Sequence, residues 1–466
     1  MSRAVRVCFL SLAIAACLAA QTSPQPAVVT QQEMESLRAA VRSAQLAGDN
    51  AWMLTSAALV LMMTGPGLAL FYAGLVRRKN VLGTMMQSFA MMPVITVLWA
   101  VCGYSLVFSA GSPFLGGFDY LFLHGVGAAP NPDYAATIPH QTFMIYQLMF
   151  AIISPGLITG AFAERVPFKA LIIFSILWCL IVYFPLAHMV WGKGGFLNAY
   201  SGGKIPVFDF AGGVVVHVST GISALVCALT IGKRRGFPNE RMTPHSLVLS
   251  FIGACLLWVG WFGFNAGSAL GSSALATSAF TATHFAAAAG AVGWMVAEQI
   301  RSGRPSALGA ISGAVAGLAT VTQGAGFVQP FSGMIFGLCG GLVCFWMVTV
   351  AKNRWGYDDS LDAFGVHGIG GLIGCTLTGF LATNQVNDAL KLANGAAAPL
   401  GLIDGNGAQV VNQLMGAGIG VVLAVVGTLV ALKITGLFTP LRLDEREEIQ
   451  GMDLAIHGEE GYTFEG

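Results

Sequence analysis

Apolar runs of about twenty residues recur along this chain from residue 51 to about residue 438. A helix of that length crosses the hydrocarbon core of a bilayer, about 30 Å thick, and satisfies its own backbone hydrogen bonds there. Only 10% of the residues are charged, whereas a soluble domain carries about 25%, so a soluble enzyme is excluded. The sequence predicts an all-α integral membrane protein in a lipid bilayer. Eleven apolar segments lie near residues 51–76, 88–110, 141–164, 168–191, 209–231, 245–268, 275–300, 306–322, 328–351, 362–382 and 408–438.

The N-terminus has the pattern of a secretory leader. Residues 1–20 begin with two arginines, continue through an apolar run too short to span a membrane, and end in small residues near Ala20. This order of regions predicts a signal peptide, and lipidation after cleavage at Cys17 is the alternative interpretation. Residues 21–50 are polar and partly helical in pattern, and we expect them to form a short extracytoplasmic segment.

Basic residues are divided unevenly between the two sets of loops. Fifteen Lys and Arg residues, Arg241 among them, lie in the odd-numbered connections and the tail. The opposite loops hold three, namely Lys193, Lys204 and Lys391. Because basic loops stay in the cytoplasm, the N-terminus is predicted outside and the C-terminus inside. The net charge of +1 gives no indication of a nucleic-acid partner.

The two halves of the apolar region echo each other. The motif FYAG in the first segment resembles FNAG in the sixth. Asp209 stands eight residues before His217 in segment 5, and Asp359 stands eight residues before His367 in segment 10. Because five is odd, the second half enters the membrane from the opposite side. The pattern therefore predicts an inverted repeat of five plus five helices with one extra helix, an architecture typical of transporters.

His217 and His367 are the strongest candidates for chemistry, because a titratable group at mid-membrane is costly unless it has a partner or a cavity. The pair could share a proton between two nitrogens, act as a proton relay, or hydrogen-bond a small amine. Axial ligation of haem is the alternative, although the flanking glycines indicate tight helix packing. The nine cysteines lie in the leader or in apolar segments and form no CxxC motif, so neither a disulfide framework nor a metal site is predicted.

Four further residues could serve a small cation. Asp209 stands at the start of segment 5, where it could cap the helix and hold the local geometry without touching a solute. Trp191, Phe150 and Ser268 together could offer cation–π attraction and one hydrogen bond. Aromatic residues in membrane helices more commonly face lipid, and spacing alone does not establish that these three converge.

Five segments carry a resemblance to a known family. They are PGLALFYAGLVRRKN (66–80), AHMVWG (187–192), DFAGGVVVHVSTG (209–221), GWFGFNAGS (260–268) and AFGVHGIGG (363–371). In this order they resemble the ammonium transporter (Amt/Mep/Rh) family, on its bacterial Amt branch. The resemblance implies a membrane domain at 51–440 with eleven transmembrane helices, a homotrimer with one pore per subunit, and a place in the bacterial cell inner membrane.

The resemblance also implies roles for individual residues. The external ammonium recruitment site would consist of Phe150, Trp191 and Ser268, and the stacked rings of Phe150 and Phe264 would form a gate. The pore would be lined by His217 and His367, and Asp209 would support the recruitment site structurally. Tyr146, one turn before Phe150, stands where close family members can carry Phe. Ammonium, or methylammonium as its analogue, would lose its proton near the gate and cross as ammonia. Proton transfer through the histidines would make transport electrogenic, and no cofactor is implied.

The acidic residues 441–466 resemble the cytoplasmic regulatory tail of bacterial family members, which couples the subunits to a PII-type signal protein. The alternative is a solvated tail without a function.

Three other functions compete with transport. An ammonium sensor would usually add a signalling domain, and a Rh-like gas channel fits the Trp191 and Ser268 pair less well. An enzyme is disfavoured because no nucleophile and base are arranged in the loops.

Overall fold

The computed structural model describes residues 2–20, 29–240 and 242–462. Four parts of the predictions lie outside the described residues: residue 1 of the signal peptide, the start of the extracytoplasmic segment (21–28), Arg241 of the basic loops, and the end of the tail (463–466). The chain divides into two compact units, Met1–Ala47 and Gly48–Gly466.

The first unit is helical where it is described. Helix α1 spans Arg3–Ala20, within the predicted signal peptide. The next helix begins at Gln31 after a capping box, because the N–H of Glu33 donates to the Thr30 hydroxyl at 3.2 Å and the N–H of Thr30 donates to the Glu33 carboxylate at 2.9 Å. These bonds satisfy donors that the first turn leaves free. Residues 31–50 are therefore helical along their whole length, which the sequence pattern indicated only in part.

Ten helices in the described residues are long and apolar enough to span a membrane, and one further apolar helix is shorter. In chain order they are α2 (Gln31–Leu75), α3 (Arg78–Phe108), α4 (His140–Ala161), α5 (Phe168–Trp191), α6 (Gly213–Ile231), α7 (Leu247–Ala269), α8 (Ala274–Ser302), the shorter α9 (Ala307–Val321), α10 (Pro330–Trp355), α11 (Phe364–Leu381) and α12 (Ala408–Phe438). The molecule is a helical multi-pass membrane protein. Eleven spanning helices remain a prediction, because ten meet the length that a span requires.

Helix α9 is short because protein surrounds it. Its 15 residues extend about 22 Å, less than the hydrocarbon core. It packs against α7, α8, α10 and α11, and the turn at 322–328 that follows it is buried. Non-helical backbone is tolerated at membrane depth where protein encloses it, so the chain can end this helix early.

Local hydrogen bonds define where several of the helices begin. Serine side chains cap three helices by accepting an N–H three residues on: Ser246 from Leu249, Ser273 from Ala276, and Ser306 from Gly309. Such caps satisfy free donors of the first turn. After α3, the strands β1 (Gly111–Ser112) and β2 (Leu115–Gly116) form a small antiparallel hairpin. The membrane helices therefore begin at positions that the local sequence specifies.

A buried ion cluster of Arg165, Asp358 and Arg234 ties together the loops at one end of the bundle. The Asp358 carboxylate lies 2.7 Å from Nη1 of Arg165 and 2.8 Å from Nη2 of Arg234. Burial alone raises the pKa of Asp358, but the hydrogen bonds and charges of the two arginines outweigh burial and lower that pKa. The carboxylate is fully buried, so losing it would leave two buried cations without a partner.

The tail packs against the start of α3 at the same end. It forms a short helix, α13 (Glu445–Gln450). The N–H of Met452 then donates to the Asn80 side chain at 2.8 Å, and the N–H of Gly83 donates to the Asp453 carboxylate at 2.8 Å. Both bonds are buried. The described part of the tail is thus an ordered element of the structure rather than a solvated extension.

Candidate functional site

A wide cavity of about 870 Å³ opens beside the ends of α4, α5 and α7. We call it the Trp191 vestibule. Phe150, Trp191, Ser268 and Asp209 all line it. The ring of Phe150 meets Trp191 edge to face with centroids 5.9 Å apart, and the indole N–H of Trp191 donates to the Asp209 carbonyl oxygen at 3.0 Å. The structure therefore brings the three predicted binding residues to one cavity, where aromatic rings and a hydroxyl are available to a small cation.

Two phenyl rings separate this vestibule from the interior. Phe150 of α4 and Phe264 of α7, hereafter the phenyl pair, lie with centroids 4.3 Å apart and planes inclined at 35°. Both side chains are buried. Phe150 lines the vestibule, whereas Phe264 lines a much smaller cavity beyond it, of about 10 Å³. The phenyl pair thus stands between the two cavities.

The two predicted histidines meet in that small cavity. The rings of His217 and His367, hereafter the histidine pair, have nearly parallel planes, inclined at 12°, and centroids 5.2 Å apart. The indole of Trp261 also lies nearly parallel to the His217 ring, with centroids 5.5 Å apart. The sequence motif contains Trp261, but its spacing did not reveal this contact. The rest of the lining is largely apolar, so a solute at this point meets the two imidazoles as its main polar surface.

The histidine pair does not form the direct hydrogen bond that the sequence interpretation allowed. Within the described residues, neither nitrogen of His217 and not Nδ1 of His367 has a hydrogen-bond partner. The planes are nearly parallel, but centroids 5.2 Å apart are farther than two rings in face-to-face contact. Sharing of a proton within the pair stays a prediction, and the nitrogens without a partner are available to a small molecule.

Asp209 holds the start of the helix that carries His217. Its two carboxylate oxygens accept backbone N–H groups at 2.7 to 3.0 Å from Gly212, Gly213, Val214 and Val215. Gly212 has a φ of +106°, which a residue with a Cβ rarely adopts. Burial raises the pKa of Asp209, and the four N–H groups oppose that rise. All four bonds go to the backbone, so the carboxylate caps the start of the His217 helix.

A second carboxylate caps the helix that carries His367. Asp359 accepts the N–H of Ala363 at 3.1 Å and of Phe364 at 2.8 Å. Burial raises its pKa to about 6, with the nearby charge of Lys352 acting in the opposite direction. Both capped helices begin with a wide turn of π-helical geometry, Gly213–Val218 and Phe364–Gly368, and each turn contains its histidine. The two helix starts are built alike.

A second wide cavity of about 460 Å³ reaches His367 from the other side. We call it the Lys352 vestibule. The Lys352 ammonium donates to the Asp362 carboxylate at 2.6 Å, and both residues line the cavity. Sequence analysis did not single out either residue. The sequence does show charged residues next to the second histidine motif. Lys352 and Asp362 meet, however, only because the loop between them folds back.

The site has no features of a metal or haem centre. No group of three or more His, Cys, Asp or Glu side chains in the ranges that the structure describes could hold a metal ion. The space beside the histidine pair is about 10 Å³, comparable with the volume available to a single water molecule. A haem does not fit there, so the alternative of axial ligation is wrong.

Comparison with known proteins gives a consistent result. The model of the Ammonium Transporter Family matches residues 51–462. An ammonium transporter of Bacillus subtilis is 47% identical over 415 residues, covering 89% of this chain and 98% of that protein. The crystal structure of Candida albicans Mep2 aligns with a TM-score of 0.78 at 33% identity, covering 86% of this chain and 87% of Mep2. A structure titled Sensor Amt Protein aligns with a TM-score of 0.78 at 25% identity, covering 89% and 99%.

Proposed function

The chain belongs to the ammonium transporter family, which makes it a transporter of ammonium rather than an enzyme, and we propose how its cavities divide that task. Ammonium is recruited as a cation in the Trp191 vestibule. It gives up its proton near the phenyl pair. Neutral ammonia then passes the histidine pair and leaves through the Lys352 vestibule.

The observation that carries this proposal is the contrast between the vestibule and the space behind the phenyl pair. The vestibule offers the ring of Trp191 and the hydroxyl of Ser268, and a cation gains attraction from both. Behind the phenyl pair, a cavity of about 10 Å³ with largely apolar lining offers few partners to a charge. Removing a full charge from water is far more costly than removing a neutral amine, so ammonia is the form suited to this passage.

The proton takes a separate route along the histidine pair, which makes net transport electrogenic. Because both nitrogens of His217 and Nδ1 of His367 have no hydrogen-bond partner in the described residues, a water or ammonia molecule at the ring edges completes the relay. An imidazole suits this task because its unperturbed pKa lies near neutrality. The route also explains selectivity, because potassium has no proton to lose.

The architecture around the pore is proposed to be an inverted five-plus-five repeat with an eleventh helix. The two capped helix starts support it, since Asp209 serves the His217 helix as Asp359 serves the His367 helix. The N-terminus is proposed to lie outside and the C-terminus in the cytoplasm of a bacterial inner membrane, which the distribution of basic residues between the loops supports. The subunits form a homotrimer. Residues 1–20 act as a signal peptide, 21–50 as an extracytoplasmic segment and 51–440 as the membrane domain.

Residues 441–466 are proposed to bind a PII-type signal protein. The support is physical: buried bonds from Asn80 and Asp453 tie the tail to the start of α3. A protein that binds the tail is thereby linked to a membrane helix. The test is a pull-down of the full chain with a PII-type protein at several nucleotide conditions, with Asn80→Ala as a variant that removes one of the bonds that hold the tail. Absence of binding under every condition contradicts the regulatory role.

The transport proposal is tested by the current of purified protein in proteoliposomes on a solid-supported membrane. Pulses of ammonium, methylammonium and potassium are compared. We expect a saturable current with ammonium, a smaller one with methylammonium, and none with potassium. Current with potassium contradicts proton loss at the phenyl pair.

A sensor is the second candidate function, because one structure with this fold is titled a sensor. The same vesicles distinguish it from a transporter. A sensor binds ammonium, seen as a rise in the melting temperature, without current and without a change in internal pH. An electroneutral gas channel also gives no current, but internal pH responds to ammonium faster than in empty vesicles.

A further inference from the structure

The hydroxyl of Tyr146 lies where three polar groups at the end of α7 converge. Tyr146 belongs to α4 and is fully buried. Its hydroxyl oxygen lies 2.9 Å from the carbonyl oxygen of Gly263, 2.8 Å from that of Phe264, and 3.2 Å from Oγ of Ser268. The Gly263 carbonyl oxygen already accepts the backbone N–H of Gly267, so Tyr146 adds a further donor to the end of α7 from a different helix.

The available protons determine the directions of these bonds. A hydroxyl has one proton to donate, and a carbonyl oxygen only accepts. The two shortest contacts of Tyr146 are to carbonyls, so its proton goes to them and its oxygen can only accept from Ser268. The Ser268 hydroxyl has a second inward acceptor, the Phe264 carbonyl oxygen at 2.9 Å. In either of these two hydrogen bonds, the Ser268 proton points away from the Trp191 vestibule.

This arrangement matters because ammonium is a donor without acceptor capacity. With its proton directed inward, Ser268 presents lone pairs to the vestibule, which is the polarity that a cationic donor requires. A serine free to rotate would also donate outward, to water or an anion. Tyr146 thus supplies one of the two bonds that select the useful orientation.

The same side chain also touches the phenyl pair. Its ring packs edge to face on Phe150, with centroids 5.1 Å apart, while its hydroxyl holds the carbonyl of Phe264. Gly267 makes the approach possible, since a Cβ there would lie 2.7 Å from the Tyr146 hydroxyl. One residue of α4 therefore contacts one member of the phenyl pair by its ring and the backbone of the other by its hydroxyl.

We propose that Tyr146 is a positioning residue that fixes Ser268 as a hydrogen-bond acceptor for ammonium and holds the phenyl pair together. The inference rests on the proposed function, since it assigns a positioning role within that site. Tyr146 acts through Ser268 and Phe264 and does not itself contact the transported species.

The first test replaces Tyr146 by Phe and measures the concentration dependence of the ammonium current. Losing one hydrogen bond that orients Ser268 raises KM by about fivefold, while the maximal current is retained. The current with methylammonium rises relative to that with ammonium, because the phenyl pair is less tightly held. Tyr104→Phe is the matched control. It removes another buried hydroxyl, bonded to His140, and is expected to leave KM unchanged.

A double-mutant cycle with Ser268→Ala shows whether Tyr146 acts through Ser268. We expect Ser268→Ala to raise KM, and the double variant to raise it no further. An additive effect, or an unchanged KM in Tyr146→Phe, overturns the inference.

Ammonium-dependent stabilisation against heat measures binding without transport, and Tyr146→Phe is expected to reduce it. If the unmodified chain binds ammonium but carries no current, the transport proposal fails while the Tyr146 inference is still tested by binding. An equal stabilisation of Tyr146→Phe and the unmodified chain overturns the inference even when transport is established.

Discussion

Replacing Asp209 by Asn tests whether the pore helix depends on its carboxylate cap. The carboxylate is 6% exposed and accepts four backbone N–H groups, two on each oxygen. An asparagine keeps one carbonyl oxygen and turns an NH₂ group toward the other two donors. Those two N–H groups lose their acceptor in a buried setting. The change preserves size, so the loss is one of hydrogen bonding.

The expected cost follows from the number of donors left without an acceptor. Each buried, unsatisfied N–H costs about 1 to 3 kcal/mol, so two of them lower the free energy of unfolding by about 2 to 6 kcal/mol. Asp133→Asn is the matched control. It lies in the same vestibule but is 43% exposed, where it pairs with Lys193. An exposed ion pair contributes about 0 to 1 kcal/mol, so the control is expected to remain close to the unmodified chain.

The assay is thermal unfolding of both variants in the same detergent, followed by ammonium currents for those that remain folded. We expect Asp209→Asn to melt at a clearly lower temperature than Asp133→Asn. A melting temperature equal to that of the unmodified chain refutes the capping argument. Full stability combined with loss of ammonium binding would show instead that the carboxylate contacts the cation directly.

Three further predictions concern the passage and the buried ion cluster. Replacing both His217 and His367 by Leu is expected to abolish the ammonium current and to leave the melting temperature unchanged. An unchanged current refutes the relay, and His124→Ala, in an exposed loop, is the control. Phe150→Ala opens the phenyl pair and admits potassium, which a potassium pulse measures directly. The lowered pKa of Asp358 means that its carboxylate stabilises the fold above its unfolded pKa of about 4, and that this stabilisation is lost as pH falls through the lower folded value. The gap in melting temperature between the unmodified chain and Asp358→Asn therefore shrinks below about pH 4, and a gap that widens there contradicts the pairing.

Much of the fold could be predicted because the membrane imposes a simple rule on the sequence. Each described helix of the membrane region lies at a predicted apolar segment, since a span must be both long and apolar. The rule fails where protein replaces lipid. Helix α9 is surrounded by other helices, so its length is set by packing, and apolarity alone did not indicate that it is shorter than a span.

The candidate site was predictable to the extent that it depends on spacing within one helix. The equal distance from Asp209 to His217 and from Asp359 to His367 pointed to two related helix starts. Contacts between helices were beyond the sequence. The hydrogen bonds of the Tyr146 hydroxyl depend on how two helices approach, and so does the nearly parallel arrangement of the histidine pair. The sequence indicated which residues could form a site, and packing determines which of them meet.

The division of the passage into a vestibule and a narrow interior limits where selectivity can arise. Attraction of a cation to the ring of Trp191 depends on its charge, and a lone pair of Ser268 also attracts any cation. Neither contact therefore rejects potassium strongly. Rejection requires a step that potassium cannot take, and loss of a proton before the space of about 10 Å³ behind the phenyl pair is such a step. Changes at Trp191 or Ser268 are expected to alter how much ammonium is bound, whereas changes at the phenyl pair alter which ions cross.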